Sequence, residues 1–315
     1  MISEETRALR STGIGGSDIG AIMGLSRFRT PYDVFLEKTG QKPDTPDNQA
    51  IHWGNILEDV VAKEYAAQSG RKVQRINQML RHPDHDFVIG NIDRAVVNPD
   101  IMGNVRWKDG RLTTDRILEC KTANGFTAKL WGEAGTDFIP DAYMAQVQWY
   151  LFLTGCQYAD LAVLIGGQDF RVFNIERDEE LITYMWSFAR TFWENTQAGI
   201  APAPTTSEEA SHKFSQASSG KAVELDTSFA SEFQRLAEIK AQKKDLEAEE
   251  DNIKARIMSS MADAEEATLD GITVCTWKAV SSNRFDSKAF KADQPDLYKQ
   301  YLNQTQSRRF LLKGI

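Results

Sequence analysis

The feature that most constrains this chain is a five-residue alternation, Ile117-Leu118-Glu119-Cys120-Lys121. A period of two reads as a β-strand, on which Glu119 and Lys121 point to one face and Leu118 and Cys120 to the other. The apolar pair suits a core, and an acid and an amine then face one cleft. Upstream, Gly90-Asn91-Ile92-Asp93 closes another apolar run, where an unpartnered carboxylate is costly. Asp93 on an adjacent strand would bring two carboxylates to one point. That suits Mg²⁺, a hard cation that takes oxygen ligands and keeps several waters. Such an ion can polarise a phosphate and acidify a water, with Lys121 orienting that water and stabilising developing charge. Taken alone, a Glu-x-Lys on an exposed strand edge is usually a solvated ion pair.

Around this run the pattern is mixed. Helical spacing covers 17–23, opened by a Ser/Asp cap after Gly13-Ile14-Gly15-Gly16, then 31–38 with Pro31 in its first turn, and 55–69 with an apolar face of Ile56, Val60, Val61 and Tyr65. Strand-like runs follow at 72–79, 87–92, 94–98, 116–121, 160–165 and 171–175, with helices at 142–153 and 179–196. The order predicts a mixed α/β layer fold. The stretch 201–221 is a linker by composition. Beyond it, 226–261 is a charged helical stretch in which Ile239, Leu246 and Ile253 recur every seven residues while Lys243 and Glu250 interrupt the companion positions. A helical hairpin or a helix packed on a neighbour is expected there rather than a sustained coiled coil. A strand is expected over 271–279, and a polar tail ends in Ser307-Arg308-Arg309-Phe310-Leu311-Leu312-Lys313. His82 and His85 flank Pro83-Asp84 in an expected solvated turn.

Asp93 with Glu119-Cys120-Lys121 resembles the D…ExK signature of the PD-(D/E)XK nucleases. Gln146 and Tyr150 resemble the Q-x-x-x-Y helix motif that follows it in lambda-exonuclease-like members. Thr12-Gly13-Ile14-Gly15-Gly16-Ser17-Asp18-Ile19 is similar to the opening of YqaJ-type viral recombinase nucleases, and Trp53-Gly54-Asn55-Ile56-Leu57-Glu58 to their G-N-x-x-E helix. The motifs keep the family's order over about residues 9–170.

The resemblance implies a restriction-endonuclease-like core, a mixed central sheet flanked by helices, over residues 1–200. A linker at 201–225 and a mainly helical accessory segment at 226–315 complete the expected organisation. It implies that Asp93, Glu119 and the backbone carbonyl of Cys120 ligand one or two Mg²⁺, with Mn²⁺ as a substitute, and that Glu58 reaches a second ion or its waters. Lys121 would activate water, Gln146 would orient it or Lys121, and Tyr150 would line the cleft. Arg10 and Ser17 stand at the separation of the pair that holds a terminal 5′-phosphate in this family. The implied activity is 5′→3′ digestion of one strand from linear double-stranded DNA ends, leaving a 3′ strand for a phage-type annealing recombinase, from a ring-shaped homotrimer. An endonuclease or nickase using the same site, or a non-catalytic end-binding scaffold, stays open.

The remaining features bound these readings. A net charge of −8 argues mildly against nucleic-acid binding, though a local basic groove suffices for it. Three dispersed cysteines, Cys120, Cys156 and Cys275, fit a reducing cytoplasm and disfavour zinc or iron–sulfur ligation. No apolar run is long enough for a membrane span, and the first residues lack a signal-peptide core.

Overall fold

The computed structural model describes residues 4–42, 49–303 and 308–313; Ser307 of the basic tail lies outside them. The chain forms two compact units, residues 1–209 and 210–315.

The first unit opens with helices α1 (Glu4–Ser11), α2 (Gly16–Ile22), α3 (Pro31–Lys38) and α4 (Gln49–Ser69). Strands β1 (Val73–Gln74), β2 (Leu80–Arg81), β3 (Ile89–Gly90), β4 (Arg94–Val96), β5 (Trp107–Lys108), β6 (Arg111–Leu112) and β7 (Arg116–Ala123) follow. Then come a 3-10 turn (Gly125–Leu130), α5 (Asp141–Thr154), β8 (Tyr158–Ile165), β9 (Asp169–Glu176) and α6 (Glu179–Gln197). Helix α7 (Ser207–Lys213) interrupts the stretch read as linker.

The central sheet has the order β1-β4-β7-β8-β9. Its neighbours are antiparallel except β7 and β8, which run parallel. Parallel neighbours need a crossover, and α5 supplies it. This is the mixed central sheet flanked by helices that the sequence order predicts. Its two faces divide by parity along each strand. Ile117, Leu161 and Val163 join a core with Val147 and Leu151 of α5, while Leu118, Cys120 and Ala162 meet Val61, Ala62 and Tyr65 of α4.

Several expectations change. Ile56 and Val60 of α4 are 47% and 51% exposed, because the face that covers the sheet is that of Val61, Ala62 and Tyr65. The strands expected over 72–79 and 87–92 shrink to short pieces, β1 joining the main sheet and β3 pairing with β2. His82 and His85 are not simply solvated. Their rings stack 4.9 Å apart, against Phe152 and Trp186. Burial, with His85 adding to it, holds His82 below the usual histidine range.

In the second unit, α8 (Phe229–Met261) is one unbroken helix rather than a hairpin. After it β10 (Glu266–Leu269) and β11 (Ile272–Thr276) form an antiparallel hairpin. Its two-residue turn, Asp270-Gly271, has positive φ at both positions, as right-handed strand twist favours. The tail expected to be simply polar carries α9 (Ser287–Asp293) and α10 (Pro295–Gln300).

Candidate active site

The last ladder pair between β4 and β7 is Arg94 with Leu118. One step further in the same register sets Asp93 opposite Glu119, and opposite residues share a face. The ladder stops there because the Asp93 carboxylate, not a carbonyl, accepts the Cys120 N–H, at 2.8 Å. In an extended strand a residue's N–H and C=O point to the same edge, so the Cys120 carbonyl faces Asp93 as well.

Glu119 is 2% exposed. Its Oε1 accepts from Lys121 Nζ and from Gln146 Nε2, each at 2.6 Å. Its buried Oε2 has no hydrogen-bond donor among the described residues. The Gln146 amide also donates to the Tyr150 hydroxyl at 3.4 Å, and Lys121 Nζ lies 5.4 Å from the Tyr143 ring centroid.

Two carboxylates share this space with one ammonium, and the titrations follow. Burial, with the charge of Glu119 beside it, pushes the Asp93 carboxyl well above the usual carboxylate range, against Lys121 and the Cys120 N–H. Burial raises Glu119 too, with Lys121 opposing. Burial works against the Lys121 charge, but Glu119 and Asp93 outweigh it and raise its pKa. Burial and the same two acids push Tyr150 well above the ordinary phenol range.

This deficit of positive charge, the donorless Oε2 and an all-oxygen set from Asp93, Glu119 and the Cys120 carbonyl fit a hard divalent cation. Among the described residues no three Asp, Glu, His or Cys side chains cluster to hold an ion on their own. Water and substrate oxygens would have to complete the shell, as Mg²⁺ prefers. Glu58, expected to reach a second ion or its waters, is paired with Arg94. Arg94 alternates to the α4 face, where its guanidinium donates to Glu58 at 2.6 Å and to Asp59 at 2.9 Å. Glu58 still bears on the pair, since its charge adds to the rise at both Asp93 and Glu119.

The same cleft, about 370 Å³, is lined by Arg10 and Ser17 together with Asp93, Glu119, Lys121, Gln146 and Tyr150. Arg10 Nη2 donates to Ser17 Oγ at 3.3 Å. Ser17 is not the helix cap. Gly15 takes that position, and Asp18, three residues on, accepts its N–H at 2.9 Å. The Ser17 hydroxyl is therefore left to the cleft. The close approach of α2 to α5 requires glycine at one point, since a Cβ on Gly16 would lie 2.5 Å from the Tyr150 ring.

A cluster behind Arg10 was not legible in the pattern. Lys38, with 4% of its side chain exposed, contacts Asp18 at 2.6 Å and donates to the Arg10 carbonyl at 2.7 Å. Arg29 donates to Asp18 at 2.9 Å and also pairs with Glu37. Burial tends to raise the Asp18 carboxyl, yet Lys38 and Arg29 hold it at about 2. The signal was slight: Asp18 lay inside the opening motif, but nothing marked Lys38 as anything other than the last residue of a helix.

A family model described as a YqaJ-like viral recombinase domain matches residues 7–157, a span that holds every cleft residue from Arg10 to Tyr150. The YqaJ protein of Bacillus subtilis (strain 168) is 36% identical over 323 residues, which cover 100% of this chain and 95% of that one. The chain belongs to the YqaJ-like viral recombinase family. This YqaJ-like chain is also 25% identical to protein D345L of African swine fever virus over 162 residues, 46% of this chain and 44% of the viral one. Among solved structures it is similar to an alkaline exonuclease from Laribacter hongkongensis, with 20% identity and a TM-score of 0.49 over 63% of this chain and 94% of the other. No helix among the described residues is long and apolar enough to cross a membrane.

Proposed function

We propose that this YqaJ-like chain is a deoxyribonuclease, a magnesium-dependent exonuclease that removes nucleotides 5′→3′ from linear duplex ends. One observation carries the reading. Glu119, buried across the ladder from Asp93 on the same sheet face, gives one oxygen to Lys121 and Gln146 and keeps the other free of any donor among the described residues.

Asp93, Glu119 and the Cys120 carbonyl would hold the ion, which when bound supplies Lewis acidity at the scissile phosphate and acidifies water. Lys121, anchored on Glu119, orients the attacking water and carries positive charge to the phosphate oxygens as negative charge grows there. Gln146 keeps the Glu119 carboxylate in one rotamer by its hydrogen bond, and Tyr150 closes the cleft behind Gln146. Glu58, paired with Arg94 through one oxygen, acts on the pair through its charge and is the carboxylate that would reach a second ion or its waters. Arg10 and Ser17 grip the terminal 5′-phosphate, so that cutting begins at an end. The 3′ strand left behind is a substrate for a single-strand annealing protein.

The test is digestion of a linear duplex carrying a 5′-phosphate and a label at either end, with Mg²⁺ or EDTA, beside a covalently closed circle. The expected result is Mg²⁺-dependent release of mononucleotides from the 5′ end with the circle intact. Cutting of the circle would make the site an endonuclease. No cleavage of either by folded protein would leave an end-binding scaffold.

A further inference from the structure

Helix α8 has an unusual surface. From residue 238 to residue 260 every side chain is exposed. Isolated helices are marginal in water and draw most of their stability from an apolar face packed on something else. Here the face is Ile239, Leu246 and Ile253, at steps of seven and 38%, 64% and 41% exposed, with Ile257 beyond at 44%. A seven-residue step keeps these side chains on one seam of a pair of helices. Lys243 and Glu250 interrupt that seam, one on each side of Leu246.

The interruptions choose an occupant. In a parallel, in-register pair of copies, Lys243 would face Lys243 and Glu250 would face Glu250, with repulsion at both layers. Turned antiparallel about Leu246, each becomes complementary. Leu246 meets its own copy, Ile239 meets the partner's Ile253, Leu236 meets the partner's Ile257, and Lys243 lies against the partner's Glu249 and the partner's Glu250. The neighbouring charges repeat this reversal, since Lys240, Lys243 and Lys244 precede Glu247, Glu249, Glu250 and Asp251. Within its own helix Glu250 contacts Lys254, an exposed pair that contributes little and does not compete strongly. We infer that α8 is a homodimerisation element, docking antiparallel on α8 of a second copy of this chain with Leu246 on the two-fold axis.

The test uses the full chain at low salt, its mass followed by sedimentation equilibrium at micromolar concentrations. Wild type should associate reversibly, its mass doubling as concentration rises. Lys243→Glu should weaken it about tenfold, because the two-fold axis turns two attractive contacts into repulsive ones at once. The Lys243→Glu/Glu250→Lys double variant should recover part of that loss, the remaining Glu249 contact staying repulsive. A parallel pair would gain nothing from that double exchange. Under oxidation Leu246→Cys should cross-link to itself, whereas Ile239→Cys should cross-link only when mixed with Ile253→Cys. A monomeric wild type, an association that Lys243→Glu leaves unchanged, or self-cross-linking of Ile239→Cys equal to that of Leu246→Cys would each overturn the inference.

Discussion

Replacing Asp18 by Asn should destabilise the protein in a way that fades with acid. Asp18 is 2% exposed and its carboxyl is held at about 2, against an ordinary 3.8. A depressed carboxyl contributes stability that is fully present above its unfolded pKa and lost as pH falls through its folded pKa. The shift corresponds to about 2.5 kcal/mol at neutral pH, and linkage leaves roughly half of that at pH 3. Asn abolishes the titrating contribution and strands Lys38, so the variant should also carry a pH-independent loss of about 1–3 kcal/mol. Urea unfolding of both proteins at intervals from pH 7 to pH 3 separates the two parts. The gap between them should stay level to about pH 5 and then close by about 1 kcal/mol by pH 3. A gap that is constant over the whole range would refute the assignment of Lys38 and Arg29 as the groups that hold Asp18 ionised. Because Lys38 also donates to the Arg10 carbonyl, the variant should raise KM for 5′-phosphorylated ends more than it lowers kcat.

Other perturbations follow from the same contacts. Lys121→Ala should leave duplex binding near wild type and lower kcat by roughly 10²–10³, measured by single-turnover cleavage, since it removes charge that matters as the phosphate reacts. Arg10→Ala should erase any preference for a 5′-phosphate over a 5′-hydroxyl in paired-substrate digestion while leaving the rate on the hydroxyl end within about threefold, the cost of an end contact that the hydroxyl never made. Gly16→Ala should cost about 1–3 kcal/mol in urea unfolding, because its Cβ meets the buried Tyr150 ring. Asp93→Asn should abolish cleavage yet unfold no more easily than wild type, since it keeps an acceptor for Cys120; Asp93→Ala should be less stable than Asn by about 1–3 kcal/mol, with that N–H left unsatisfied.

Strand parity was legible and long-range register was not. Alternation alone sends Glu119 and Lys121 to one face and Leu118 and Cys120 to the α4 core, which is where they lie. It also sends Arg94 to the face opposite Asp93, where its guanidinium meets Glu58. How far β4 slides along β7 is decided across a long insertion by side-chain packing, and local pattern does not report it. Lys38 was hidden for a similar reason. A lysine closing a helix is ordinarily solvated, and only the fold brings it to Asp18 and the Arg10 carbonyl. The hairpin at β10 and β11 could have been read, because Asp270-Gly271 is a strong local turn signal; its first strand is short and too polar to stand out. The long exposed helix was legible as a helix, but what covers its seam lies outside a single copy.

The break in the ladder beyond Arg94 explains how so polar a cluster is held inside an α/β core. Had β4 continued its pairing with β7, a backbone carbonyl would have satisfied the Cys120 N–H and closed this edge. Instead the Asp93 carboxylate takes that N–H, which fixes one acid without a cation and leaves the Cys120 carbonyl facing the same side. The second acid is fixed by side chains from two other directions, Lys121 along its own strand and Gln146 from α5. Each acid is thus oriented with oxygen capacity to spare, as the bare Oε2 of Glu119 makes plain. Burial opposes keeping both of them charged, and Lys121 offsets only part of that opposition. A divalent cation would offset the remainder, so binding an ion and stabilising the folded chain become the same event. Adding Mg²⁺ should therefore raise the wild-type unfolding midpoint and leave that of Asp93→Asn unmoved, a comparison that reads ion binding without reference to turnover.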